Sequence, residues 1–461
     1  MWKLPWQRKK DEGSQLFKLD AKAKRIEGVE PLKASRLAAL VLERTKNILE
    51  ACPRRLAGSV ESRQAAAMLA EAFSPWCDKV EVEELRASEK DSLLLFHILP
   101  IAAPLMLILC WVGLPLLALA IAIVLTLGIC RTVLLCHSIL KGRGHHGQKM
   151  ANVWASIEPE GEVEHTIVFT AHHDSARMLN LERGDATGLY LSLHAPIVHF
   201  IMLTVTSLSL FVTEIFTGGL LSFNAPPLSM LVILVLLTMT SPLYWKLFHL
   251  QGGKASPGAG DNLVSCAMLT ELAHYFSWLK SEGKGMGSTR LVFASFDGEE
   301  CGLKGSEAWY SKHAGELADA KVVNIDCPIR ICDLTILTRD VNGFQPLSRS
   351  LAGELASTAQ SMGWKARLGA MSFMMGSSDA ASAARHGLEA TTLMGIASTG
   401  PLSDVIHSDE DDYEILDRKS IEAFLAICIK FAEEKGRGQK GQENVKVSAL
   451  EDSQRKFILT R

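Results

Sequence analysis

Three stretches without an Asp, Glu, Lys or Arg constrain this 461-residue chain more than any other feature: Ser92–Cys130, Tyr190–Thr213 and Pro226–Trp245. A helix needs about 20 apolar residues to cross the hydrocarbon core of a bilayer. The first stretch has room for two such helices, with a tight turn near Val112, Gly113 and Pro115. The other two stretches make a second pair, joined by a connector rich in breakers: Gly218, Gly219, Asn224, Pro226 and Pro227. Two transmembrane helical hairpins are therefore expected, within 91–140 and 190–247. Buried helices of a large soluble core are the alternative, but they do not need this length.

A hairpin returns the chain to the side it left, so the polar blocks 34–90, 141–189 and 248–435 are expected to share one compartment. The opening MWKLPWQRKKDEG lacks the apolar centre of a secretory signal, so the amino terminus is expected to stay inside. Lys and Arg are absent from both hairpin tips, whereas Arg86, Lys90, Lys141, Arg143, Lys149, Arg177, Arg183, Lys246 and Lys254 flank the other ends. By the positive-inside rule the polar blocks face the cytoplasm of a multi-pass cell-membrane protein. Ten cysteines without a paired secretory spacing agree with a reducing compartment. A net charge of -3 argues against a nucleic-acid partner. Residues 1–33 are mixed in charge and residues 436–461 polar and rich in breakers, so both read as mobile tails.

The three polar blocks carry alternating strand and helix patterns. SRQAAAMLAEAFSPW reads as a helix and DKVEVEEL as an exposed strand; KMANVWASIEP and HTIVFTAHHDS read as strands around an acidic turn. The loop GGKASPGAGDN leads into the helical LVSCAMLTELAHYFSWLK, and the strands LVFASF, KVVNID and EATTLMGI follow. This order predicts an α/β fold: a mostly parallel central sheet flanked by helices, interrupted by the two hairpins, with sites at the carboxyl ends of the strands.

One strand end raises a chemical question. LVFASF runs into Asp297, Gly298, Glu299 and Glu300, and adjacent carboxylates at the mouth of a core call for a cation. In HTIVFTAHHDS the two-residue period puts His172 and Asp174 on one face and His173 on the other. His172 can ligate a metal, and Asp174 is close enough to hold that imidazole. GAGDN offers Asp261 in a glycine loop, KVVNID ends on Asp326, and IHSDEDD supplies His407. Together with Glu299 and Glu300 these residues suit two zinc ions about 3.5 to 4 Å apart, each with a His and a carboxylate and sharing a bridging carboxylate. One of the two glutamates would then ligate while the other takes a proton from water. Manganese or cobalt could fill a site of this kind too.

The order HxD, GAGDN before a helix, EE-x-GLxGS, an aspartate and H-S-x-x-D resembles the co-catalytic dizinc aminopeptidase family, which includes leucyl aminopeptidases, glutamate carboxypeptidase and glutaminyl cyclases. CPRRLAGSVESRQAAAMLAEAF is similar to the family's opening and SSDAASAARHGLEATTL to a later strand and loop. The resemblance implies that His172 and Asp326 hold one zinc, Glu300 and His407 the other, and that Asp261 bridges them. It further implies Glu299 as general base and Asp174 as the residue orienting His172. Asp297 reads as a surface or supporting residue. The chain departs from the soluble members in carrying a hairpin between His172 and Asp261 and another ahead of Asn152.

The expected function is that of a membrane-anchored zinc metallopeptidase, an aminopeptidase acting on peptide or protein amino termini. A glutaminyl-cyclase-like acyltransferase with one zinc and a non-enzymatic interaction module on the same fold are the alternatives, disfavoured by the full ligand set. A transport path through the spans is disfavoured because they hold few ionisable groups besides His97, His194 and His199.

Overall fold

The computed structural model describes residues 34–88, 94–135, 147–181, 186–217, 225–372, 376–396 and 405–436. The predicted tail 1–33, residues 437–461 of the other predicted tail, the 218–224 part of the second connector, and Lys90, Lys141, Arg143 and Arg183 lie outside these residues, whereas Gly436, expected to open the second tail, ends a helix.

A nine-stranded sheet draws strands from all three polar blocks. They are β1 (Lys79–Ala87), β2 (Gln148–Ile157), β3 (His165–His172), β6 (Thr289–Phe296), β7 (Lys321–Asp326), β8 (Thr335–Asp340), β9 (Gln345–Pro346), β10 (Arg367–Ala370) and β11 (Glu389–Met394). The spatial order is β1-β2-β6-β3-β7-β11-β8-β10, with β9 on β8. The central run β6-β3-β7-β11 is parallel, while β2 on one side and β8 on the other join it antiparallel. A separate ribbon, β4 (Arg177–Leu179) with β5 (Gln251–Ala255), pairs the segments that enter and leave the second hairpin.

Alternation along the central strands buries both faces. Ile167, Phe169, Leu291, Phe293, Val323 and Ile325 face one layer, made by α1 (Ala34–Ala51), α2 (Val60–Phe73), α8 (Val264–Ser281), α10 (Arg349–Ser361) and α12 (Arg418–Gly436). Val168, Val292, Phe296 and Val322 face the other, which includes Trp309 and Tyr310 of α9 (Lys304–His313) and Ala380 and Ala383 of α11 (Asp379–Arg385). Each such buried side chain contributes about 1.5–3 kcal/mol relative to exposure, which is why a strand apolar on both faces stays at the centre of the sheet. Helix α8 is buried along nearly its whole length between the sheet and the outer helices.

The apolar stretches form a helical bundle of their own: α3 (Leu99–Trp111), α4 (Pro115–Ile129), α5 (Ala195–Thr217), α6 (Leu228–Thr240) and α7 (Leu243–Phe248). Among the described residues three helical runs are long and apolar enough to cross a membrane, Pro115–Thr132, Thr187–Thr217 and Leu228–Phe248; Leu95–Trp111 is apolar but shorter. The turn between α3 and α4 falls at Val112–Leu114, where the sequence places it. Helix α5 runs four residues beyond the expected end at Thr213 and takes in the buried Glu214. His199 lies packed between helices, with Nδ1 2.9 Å from the Tyr244 hydroxyl and Nε2 2.9 Å from the Leu237 carbonyl.

β3 lies between β6 and β7, which follow it in the chain on opposite sides, so the crevice above its carboxyl end is a topological switch point. Asp297, expected at the surface or in support, is fully buried just beyond β6. Its carboxylate accepts from the backbone N–H of Gly58 at 3.1 Å and of Ala151 at 3.1 Å, tying the first two polar blocks to the third. Gly305, in the GLKGS segment, lets α9 start directly against this turn, since a Cβ there would run into the Asp297 carbonyl and the Asn152 amide oxygen. Gly305→Ala is therefore expected to destabilise the domain by about 1–3 kcal/mol through overpacking, read as an earlier thermal transition of the detergent-purified protein.

Candidate metal centre

The switch point gathers the candidate residues. β3 delivers His172 at its last position and β7 delivers Asp326 at its last position. The turn after β6 presents Glu299 and Glu300; its glycines Gly298 and Gly302 sit at φ +86° and +98°. Asp261 comes from the loop ahead of α8 and His407 from the loop ahead of α12.

Distances define two groups that share Asp261, and a third, His172/Glu299/Glu300, that overlaps both. Asp261 Oδ1 lies 3.3 Å from His172 Nε2, and Asp261 Oδ2 lies 3.3 Å from His407 Nε2. On the first side Asp326 Oδ1 is 3.9 Å from His172 Nε2; on the second Glu300 Oε2 is 3.5 Å from His407 Nε2. Glu299 Oε2 stands 4.0 Å from His172 Nε2. The sets His172/Asp261/Asp326 and Asp261/Glu300/His407 each place their donor atoms within 4.8 Å of one another. Ligands held about 2.0–2.1 Å from a tetrahedral zinc stand about 3.3 Å apart, the separation of Asp261 from each of the two imidazoles.

The electrostatics point the same way. Burial raises Glu299 and Glu300 above the usual carboxylate range and Asp326 to about 7, against the opposing pull of the imidazoles. Burial would raise Asp261 too, but hydrogen bonds from His172 and His407 outweigh it and hold that carboxyl below its ordinary value. Burial also disfavours the charged imidazoles, yet Glu299 beside His172 and Glu300 beside His407 prevail and raise both well above the usual histidine value. Three buried carboxylates and the half-buried Glu300, facing two imidazoles, have an excess of negative charge that a dication neutralises. Glu300 Oε1, a buried atom without a hydrogen-bond partner, is a further donor atom at the site. The residues present thus fit zinc.

Asp174 is fully buried and acts at two points. Its carboxylate oxygens accept from the backbone N–H of Glu299 and of Glu300, each at 3.2 Å, and so hold the turn that carries both glutamates. Its backbone carbonyl, at 3.2 Å, is nearer to His172 Nδ1 than its carboxylate, at 3.5 Å. His173 points to the opposite face, with Nδ1 2.9 Å from Ser295 Oγ, and burial lowers it to about 3.

Two supporting residues went unassigned in the sequence reading. Asp411, the last residue of the H-S-x-x-D pattern, accepts from the backbone N–H of Gly260 at 2.7 Å and of Asp261 at 3.2 Å; burial and the nearby Asp261 raise it to about 8. Arg55, within CPRRLAGS, is buried completely and donates to the carbonyls of His173 at 2.8 Å, Gly258 at 2.8 Å and Cys52 at 3.1 Å. Gly258 sits at φ +62°, and a Cβ there would approach Ser175 Cβ to 2.6 Å. Asp411 was foreshadowed by the motif, but nothing in the one-dimensional pattern linked Arg55 to Asp261.

Residues 247–432 match the model of Peptidase family M28. The match takes in less than half of the chain, and within it this chain is similar to an M28 peptidase domain. His172 and Asp174 lie upstream of the matched residues and join the site through the fold. Over the whole chain the fold is similar to that of BSAP, a zinc aminopeptidase from Bacillus subtilis (TM-score 0.52, 13% identity, covering 90% of this chain and 97% of the other). It is also similar to a glutaminyl cyclase from an Acidobacteriales bacterium (TM-score 0.50, 14% identity, covering 90% and 99%). No curated protein matches the chain.

Asp411→Asn is expected to weaken zinc binding about 10- to 100-fold without unfolding the protein, because Gly260 and Asp261 each donate to a different carboxylate oxygen and the amide replaces one of these with an NH2 donor. Zinc retention against a graded chelator, alongside circular dichroism of the same sample, checks this.

Proposed function

We propose that the chain is a membrane-anchored aminopeptidase with two zinc ions, the His172 and Asp326 side chains holding one, Glu300 and His407 the other, and Asp261 bridging. One observation carries this reading: the two oxygens of a single carboxylate, Asp261, each lie 3.3 Å from a different imidazole. When bound, zinc polarises the scissile carbonyl and makes water acidic enough to attack near neutral pH. Glu299, buried 4.0 Å from His172 Nε2 and outside the Asp261/Glu300/His407 group, is placed to take the proton of the attacking water and return it to the leaving amine. Asp174 fixes the turn on which Glu299 and Glu300 sit, and Arg55 and Asp411 hold the Asp261 loop.

The membrane part of the proposal rests on the bundle's surface. Ile101, Leu105, Ile108, Val124, Leu127, Val205, Val232, Leu236 and Met239 are exposed on helices that carry almost no charge, and a lipid environment is the solvent that covers such a surface. The charge bias around the hairpins supports a cytoplasmic catalytic domain at the cell membrane, acting on peptide or protein amino termini.

Zinc content and release of amino acids from a panel of aminoacyl amides, before and after chelation, test the reading. About two zinc ions per chain with chelator-sensitive hydrolysis are expected. One zinc with ammonia released from an amino-terminal Gln peptide would replace it with a cyclase. Glu299→Gln should keep its zinc while turnover falls about 10²- to 10⁴-fold, the usual contribution of a general base. Unchanged turnover in this variant would remove Glu299 from that role.

A further inference from the structure

The rim of the site is built onto the stem of the second hairpin. His172, Asp261 and Asp326 are buried, whereas 39% of the His407 side chain is exposed, so the site opens past His407. The backbone carbonyl of His407 accepts from the N–H of Leu179 at 3.1 Å. Leu179 belongs to β4, which pairs with β5 in register Leu179 to Gln251, so the two chain segments flanking the hairpin meet at the open side of the site.

The same ribbon is joined to the bundle. The side chains of Leu179 and Leu181 pack against the bundle cluster that contains Tyr244, Leu247 and Leu250. Asn180 donates its N–H to the Leu250 carbonyl at 2.8 Å and its side-chain amide to the His249 carbonyl at 2.7 Å. Helix α7 ends beside them in an aromatic group, Trp245, Phe248 and His249, with Trp245 70% exposed and Lys246 adjacent. Aromatic rings next to a basic residue at the end of an apolar helix mark the level of the membrane interface. From Phe248 to Gln251 is three residues, and one strand spacing and one hydrogen bond then lead to His407. At extended-chain reach this places His407 no more than about 20 Å from the end of the apolar helix.

We infer that the site works on peptides held at the bilayer surface by a lipid or apolar anchor, and reaches amino termini that stand only a few residues clear of the headgroups. This inference rests on the peptidase and membrane readings above. A site so close to the bilayer meets an anchored substrate at high effective concentration, and it needs no long spacer to do so. A catalytic domain held well above the membrane would gain from anchoring only when the substrate carries a long spacer.

The test uses the full, zinc-loaded chain in vesicles of phosphatidylcholine and phosphatidylglycerol. Three substrates share one cleavable amino-terminal sequence: free in solution, lipid-anchored through about six residues, and lipid-anchored through about 24 residues, the short spacer reaching about 20 Å when extended. The expected result is that both anchored forms exceed the free peptide more than about ten-fold in kcat/KM, with the short spacer within about three-fold of the long one. A short-spacer rate below about a tenth of the long-spacer rate overturns the inference, because the site then stands away from the bilayer. Equal rates for free and anchored peptides overturn it while leaving the peptidase reading intact. Loss of hydrolysis for all three substrates removes the peptidase reading and the inference with it; failure of the protein to float with the vesicles removes the membrane reading and, again, the inference.

Discussion

The arrangement of this protein turns on one carboxylate. Asp261 presents an oxygen to each of two histidines from distant parts of the chain, and its backbone is held from three directions. Arg55 grips the Gly258 carbonyl, Asp411 accepts from the Gly260 and Asp261 N–H groups, and the left-handed Gly258 turns the chain into the site. Arg55 is a fully buried guanidinium whose donors go to three carbonyls; a charge is tolerated there because it is hydrogen-bonded and close to Asp174 and Asp411. The site is therefore a matter of loop fixation more than of the candidate side chains alone.

A second acid does comparable work for the glutamates. The contacts around the β6 turn divide between Asp174, which accepts from the N–H groups of Glu299 and Glu300, and Asp297, which accepts from those of Gly58 and Ala151. Adjacent acids are stable here because each has a separate set of donors or faces the imidazoles. The same turn starts α9, so the Glu299–Glu300 turn and the packing of the second helical layer are set together.

The bundle and the sheet are not independent bodies joined by tethers. The hairpin inserted between His172 and Asp261 returns as the β4/β5 ribbon, and that ribbon bonds the backbone of His407. Arg54 strengthens the junction, bonding Asp409 at 2.6 Å and the Ala255 carbonyl. An insertion that interrupts the sequence thus becomes, in space, part of the frame around the site.

Much of this was legible one residue at a time. The period of two in HTIVFTAHHDS separated His172 from His173, the uncharged stretches marked the bundle, and the strands that end in acids marked the carboxyl edge of the sheet, because local periodicity and charge are properties of the chain itself. Other features were not legible: the antiparallel flanks β2 and β8, the helices α10 and α12, the burial of Asp297, the roles of Arg55 and Asp411, and the contact of Leu179 with His407. Asp174 was legible as a partner of the site, but its main bonds run to the Glu299 and Glu300 backbone. The sequence by itself determined which residue types could bind a cation and which segments prefer apolar surroundings, since both follow from side-chain chemistry. Only the tertiary structure decided which of them meet, because contacts across 150 or more residues, such as that between Asp261 and Asp411, depend on how sheet and loops pack and not on any local pattern.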